Sequence, residues 1–221
     1  DLGEVLTIPL DRRLSIIQNM QAYYKKYDKL KRAQKLLAVQ QDTCRANIRH
    51  LESIEASLDS STRLAEIAEI QEELIASGYL HEKMPKKNKD RRAHPFSFTA
   101  PDGMTILVGK NNMQNDALTF RTAAPTDLWL HVRDIPGSHV ILRTGGAAPS
   151  EETLHLAAQI AAHFSKARGS STVPVDYTAI RFVKKPSGSV PGFVRFTHEK
   201  TLFVTEDEEV LAPILAQDPT V

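Results

Sequence analysis

Between Ile16 and Leu58 apolar side chains recur in alternating steps of four and three: Ile16, Met20, Tyr23, Tyr27, Leu30, Leu37, Cys44, Ile48, Leu51 and Leu58, with Gln34, Gln41 and Glu55 in the same register. Ten of these thirteen positions are apolar and the stretch contains neither Gly nor Pro. Sustained over six heptads, that spacing predicts a coiled-coil helix, about 65 Å long at roughly 1.5 Å per residue. One helix cannot bury such a seam on itself, so the pattern demands a partner helix. Without one, the chain is expected to form a homo-oligomer through residues 16 to 58. "LDSSTRL" (58–64) breaks the pattern, with Ser60 or Ser61 as the expected cap of a second helix that runs to about Ala76 and stops at Gly78.

The net charge of +1 conceals a blockwise distribution. Arg12 to Lys35 holds eight basic residues against Asp28 alone; His50 to Leu74 holds seven acids against Arg63; "HEKMPKKNKDRRAH" (81–94) holds six Lys or Arg against Glu82 and Asp90. Charge blocks of this length are solvated faces, linkers or polyanion contacts. The lone Cys44 excludes an internal disulfide framework. The longest apolar runs are too short for a bilayer. Asp1 in place of an initiator Met reads as a cut end.

After His94 the texture becomes that of a compact domain. "FSFTAPDGMTILVG" predicts a hairpin turning at Asp102-Gly103. "NMQNDALTFRTAA" predicts a short helix, and "LWLHV" and "SHVILR" predict strands around Pro136-Gly137. "PSEETLHLAAQIAAHFSKARG" predicts a helix from a Ser150 cap to Gly169, with Leu154, Ala157, Ala158, Ala161 and Phe164 as its apolar stripe. "VPVDYTAIRFV", "GFVRFT" and "TLFVT" add three or four strands. The fold class is α+β: a long coiled-coil helical arm followed by a compact mixed-sheet domain with a packed helix. The expected division is an arm over 1–80, a basic linker over 81–94, the domain over 95–205 and an acidic tail over 206–221 that adds a short helix.

Two stretches carry unusual chemistry. "DLWLHVRDIPGSHVIL" (127–142) gathers His131, Arg133, Asp134, Ser138 and His139 around one turn. No nucleophile elbow surrounds Ser138, and His131 with His139 falls short of a metal ligand set; no catalytic residue, metal or cofactor is expected. The remaining readings are a structural hairpin, with Gly137 at positive φ in a type II turn, or an anion-binding nest flanked by His131 and Arg133 with Trp129 stacking on a base. "VGKNNMQND" (108–116) offers Lys110, Asn111, Asn112, Gln114 and Asn115 either as an Asn-rich helix cap or as an anion site at a helix N-terminus. Arg181, Lys184 and Lys185 stand on a flexible loop that is either a solvated tip or a grip on nucleic-acid backbone.

Taken together, "VGKNNMQNDALTF", "DLWLHVRDIPGSHVIL", "VDYT" and "VKKPSGSVPG", in that order behind a coiled coil, resemble the NFACT family, which spans bacterial RqcH and fibronectin-binding-like proteins and eukaryotic NEMF. The compact part looks like the family's RNA-binding NFACT-R domain, and "IPLDRRLSIIQNMQAYYKKYDKLKRAQ" like the start of its second coiled-coil helix. The resemblance implies a non-enzymatic, cytoplasmic factor of ribosome-associated quality control. Such a factor binds obstructed large ribosomal subunits carrying peptidyl-tRNA, recruits charged tRNA, and supports alanine tailing of the stalled chain. Arg133-Asp134 is not the family's functional Asp-Arg pair and does not inherit its role. On this reading the RNA contacts are Lys110, Asn111, Asn112, Asn115, His131, Arg133, Ser138, His139, Lys184 and Lys185. Lys25, Lys26, Lys29, Lys31, Arg32 and Lys35 meet rRNA near the stalk base. The alternative is a surface adhesin for fibronectin or another matrix protein, as an older name within the family suggests.

Overall fold

The computed structural model describes residues 6–82 and 94–218. The chain divides into two compact units, Asp1–Ile48 and Arg49–Val221. In the first unit, helix α1 (Ile16–Asp59) begins behind a capping box. Ser15 Oγ accepts from the Gln18 N–H at 3.2 Å, and Gln18 Oε1 accepts from the Ser15 N–H at 2.8 Å. Buried Asn19 ties the preceding segment to this turn by donating to the Asp11 carbonyl and accepting its N–H. Along the seam, Ile16, Met20, Tyr23, Tyr27, Leu30, Leu37 and Ile48 are all exposed, as expected of a stripe awaiting a second helix.

In the second unit the last turns of α1 pack through a different face. His50 and Ile54 are buried, whereas the seam residues Leu51 and Leu58 are exposed. The Ser60 and Ser61 hydroxyls turn back onto the Ser57 carbonyl and close α1, so neither caps the next helix. Helix α2 (Leu64–Ala76) starts instead at Arg63, where Glu66 accepts the Thr62 and Arg63 N–H groups at 2.9 and 3.2 Å. It ends at Gly78, whose φ of 79° provides the expected left-handed stop. The basic linker expected over 81–94 lies, from 83 to 93, outside the described residues.

The domain is a six-stranded sheet in the order β1-β2-β4-β3-β5-β8, with a separate two-stranded ribbon. Its strands are β1 (Phe96–Thr99), β2 (Thr105–Val108), β3 (Leu128–Val132), β4 (Val140–Arg143), β5 (Val173–Ala179) and β8 (Lys200–Val204); β6 (Val183–Lys184) pairs with β7 (Arg195–Phe196) in the ribbon. Every pairing among these strands is antiparallel, where a mixed sheet was expected. Helix α4 (Glu151–His163) does link two strands of the same direction, β4 and β5, but β3 is inserted between them, as in split βαβ units. Helix α4 is capped by Ser150, which accepts the Thr153 N–H at 3.1 Å. It ends at His163, six residues before Gly169.

Strand alternation divides the core in two. Leu130, Val132, Val140 and Leu142 face α4 through Ala157, Ile160 and Ala161, while Trp129 and Ile141 face the opposite side with Leu118 and Val183. The acidic C-terminal stretch forms helix α5 (Glu208–Leu215), capped by Asp207. Its Leu211 and Ile214 enter the main core, so it belongs to the domain. Gln217 then seals the outer edge of β1, its amide accepting from the Thr99 N–H at 2.7 Å and donating to the Thr99 carbonyl at 3.1 Å.

Candidate nucleic-acid interface

The Asn-rich corner opens with Gly109, where a Cβ would stand 2.2 Å from Asn115 Oδ1; only a glycine lets the corner close. Helix α3 (Asn112–Ala117) follows, its cap Asn111 accepting the Gln114 N–H at 2.9 Å. From there the polar side chains turn toward α2. Lys110 Nζ meets Glu66 at 2.9 Å; Asn111 and Gln114 donate to Glu69 at 2.6 and 2.8 Å; Asn112 donates to Glu73 at 2.9 Å and to Ser53 at 2.7 Å. Glu66, Glu69 and Glu73, spaced by three and four, share one helical face. His50 completes the cluster at 2.9 Å from Glu73. Burial pushes the Glu66 carboxyl up, but the Lys110 ammonium and the Thr62 and Arg63 amides outweigh it and hold the group below its ordinary value.

This arrangement corrects one expectation. Lys110, whose side chain is 7% exposed, and the buried Asn111, Asn112 and Asn115 do not form an open anion site. Lys110, Asn111 and Asn112 join the domain to α2 and to the end of α1, while Asn115 Oδ1 accepts the His139 N–H within the domain. Within the acidic block at 50–74, Glu66, Glu69 and Glu73 therefore serve the protein's own lysine and amides.

The hairpin at 127–142 is also turned inward. Trp129 is 1% exposed and contacts His131, His139 and Phe196 at centroid distances of 5.6, 5.2 and 4.8 Å; it offers no platform to a base. Gly137 does not take positive φ; Asp134 does, at 55°. Gly137 is required for proximity instead, because a Cβ there would lie 2.7 Å from the Ser165 Cβ. The Ser138 N–H donates to the Phe164 carbonyl and the Lys166 N–H to that of Pro136, each at 2.9 Å, so the turn docks on the end of α4 and forms no nest. His139 is buried, with Nδ1 2.8 Å from the Thr119 hydroxyl and its N–H bonded to Asn115 Oδ1. Burial, aided by the His131 ring, pushes its pKa down to about 3, and burial likewise lowers that of His131. Both imidazoles are neutral at pH 7 and supply no positive charge. Arg133 forks onto buried Asp176 at 3.0 and 2.7 Å and also reaches Thr201. Among the described residues no three His, Cys, Asp or Glu side chains gather as a metal site.

The cations left in solvent lie elsewhere. On the ribbon, exposed Lys184 stands directly opposite exposed Arg195, and exposed Arg181 precedes them. Lys185 is paired with Asp116, which also accepts the Gly192 N–H at 3.0 Å and ties the loop to α3. Sequence reasoning missed Arg195 and the rings of Phe182 and His198. The signal available was the twin pattern "IRFVKK" and "VRFTHEK", basic and aromatic residues in two segments that turn out to pair. In the first unit Lys25, Lys26, Lys29, Lys31, Arg32 and Lys35 are all exposed. At about 100° per residue, Lys25, Lys29, Arg32 and Lys35 form a stripe opposite Tyr23, Tyr27 and Leu30, with Lys26 and Lys31 flanking the seam.

A helical arm with an apolar seam and a cationic back, together with an antiparallel domain locked onto acidic α2, defines an arm-and-module protein. Comparison with known proteins gives the class its name. Residues 1–93 match the NFACT N-terminal and middle domains, and residues 94–196 match the NFACT protein RNA binding domain. The chain belongs to the NFACT family. It is 44% identical over 209 residues to the Rqc2 homolog RqcH of Bacillus subtilis, covering 93% of this chain and 36% of that protein. It is 47% identical over 208 residues to the RqcH of Streptococcus suis, covering 94% and 37%. The chain thus spans little more than a third of these relatives. Among solved structures, the C-terminal part of the fibronectin/fibrinogen-binding protein from Streptococcus suis is similar at a TM-score of 0.81 and 45% identity, covering 92% of this chain and 81% of that one. No helix among the described residues is long and apolar enough to cross a membrane.

Proposed function

We propose that this chain is the RNA- and ribosome-binding part of a cytoplasmic ribosome-associated quality-control factor, one that engages obstructed large subunits carrying peptidyl-tRNA and supports alanine tailing without itself catalysing a reaction. The observation that carries the reading is the similarity to two RqcH proteins over more than nine-tenths of the chain, together with an RNA-binding domain match on residues 94–196. Two sets of solvent-exposed cations fit it. The six on the arm contact rRNA near the stalk base, and Arg181, Lys184 and Arg195 on the ribbon contact RNA backbone. Such contacts act through phosphate and through counterion release, so they carry affinity without sequence preference. Arg133 contributes only the part of its guanidinium that Asp176 leaves open.

The similarity to a protein named for binding fibronectin and fibrinogen favours a second reading, a matrix adhesin. Co-sedimentation with purified large subunits, run beside capture on immobilised fibronectin, separates the two. Pelleting with the subunits and no retention on fibronectin is expected; retention on fibronectin without pelleting would replace the first reading by the second.

A further inference from the structure

Phe182 immediately precedes β6 and His198 lies two residues beyond β7, so the ribbon brings their rings together at one end. The centroids are 4.2 Å apart and the planes are inclined by 23°. The Arg181 guanidinium carbon sits 5.0 Å from the Phe182 centroid. Phe182 is half-buried; His198 and Arg181 are exposed. His198 holds a φ of 59°, in the left-handed region where His, with Asn and Asp, is one of the commoner non-glycine residues. The neighbouring Thr197 steadies it, with its carbonyl accepting from Thr178 Oγ1 at 2.9 Å and its hydroxyl 3.0 Å from His198 Nδ1. Packing accounts for Phe182 but not for the exposed ring laid over it.

The adjoining charges point the same way. Lys184 and Arg195 are cross-strand partners, a like-charge placement that weakens a ribbon unless an anion lies between them. Neither forms an ion pair among the described residues.

We propose that the Phe182–His198 stack is a binding site for an unpaired RNA base. The imidazole extends as the platform, and the flanking phosphates fall to Lys184 and Arg195. An aromatic face accepts any base, whereas a base inside a duplex has no free face to offer. The site therefore takes single-stranded RNA and discriminates little among sequences. This rests on the reading of the domain as RNA-binding and narrows it to a class of RNA.

The test uses the full chain with a fluorescein-labelled oligouridine of about 12 nucleotides, a duplex RNA of the same length, and large ribosomal subunits. His198→Asn removes the ring but keeps a residue that tolerates positive φ. It is expected to weaken oligouridine binding about tenfold while leaving its salt dependence and the duplex affinity unchanged. Lys184→Glu with Arg195→Glu is expected to weaken both RNAs and to reduce the log–log salt slope on the oligouridine by about 1.4, at roughly 0.7 per lost phosphate contact. Phe182→Leu, which preserves apolar packing, should behave like His198→Asn. If the chain ignores oligouridine, or if His198→Asn binds it as tightly as the parent, the inference is overturned. Continued pelleting with subunits in that case leaves the broader reading standing, and loss of pelleting in the unsubstituted chain overturns both.

Discussion

At the scale of single residues, His139 ties the stability of the fold to acid pH. Its imidazole is buried beside Trp129 and Thr119, and burial holds its pKa near 3 against an ordinary value of 6.5. Between those values the unfolded chain binds a proton that the folded chain refuses, so stability falls as the pH drops through this window and rises as it climbs back. Moving from pH 6.5 to 4.5 is expected to cost about 2 to 3 kcal/mol through this residue, and His131 acts in the same direction. Urea unfolding at both pH values, with and without His139→Gln, checks this: the substitution should flatten the dependence, and an undiminished slope would count against it. The sequence marked residues 127–142 as special but not which way they face. A Trp and two His beside a Pro-Gly turn compose a surface site or a packed hairpin equally well. Only the positions of Thr119, Asn115 and Phe196, distant in sequence, distinguish the two.

At the scale of elements, the joint of α2 with the Asn-rich corner is held by buried polar contacts. Lys110 and Glu66 are 7% and 3% exposed in their side chains, so removing one partner strands the other in a dry site. Lys110→Met is expected to cost about 3 kcal/mol. Adding Glu66→Gln, which retains an acceptor for the α2 cap, should recover a good part of that loss. A double-mutant cycle by chemical denaturation measures the coupling, and simple additivity would contradict a working pair. Much at this scale was legible. The heptads gave α1, Asp102-Gly103 gave the first hairpin, and Ser150 gave the start of α4. What failed did so for tertiary reasons. The seam runs on to Leu58, yet from His50 onward α1 packs through His50 and Ile54 because the domain supplies Asn112 and α2 supplies Glu73 on that side. Three acids at positions 66, 69 and 73 look like a solvated face until the lysine and amides that receive them, some 40 residues away, are known.

For the whole molecule, the proposed function gives different partners to the apolar seam and the cationic stripe on the two sides of one helix. The seam from Ile16 to Ile48 is exposed in the isolated chain, and we expect it to drive self-association. Light scattering at micromolar concentration should report a dimer or larger, and Leu30→Glu with Leu37→Glu should return a monomer; a parent chain that is monomeric throughout would contradict this. On the proposed function, polyanion binding falls to the other side and to the ribbon, and the buried corner takes no part in it. The most direct test of that division is co-sedimentation with large ribosomal subunits across a salt titration, comparing the parent chain with two variants. One reverses Lys25, Lys26, Lys29, Lys31, Arg32 and Lys35 to Glu; the other replaces Asn112 with Ala in the corner. The account predicts that the six reversals abolish pelleting at moderate salt and flatten the salt dependence, while Asn112→Ala, where it remains folded, pellets like the parent. Unchanged pelleting of the charge-reversed chain, with loss confined to the folded Asn112 variant, would contradict it.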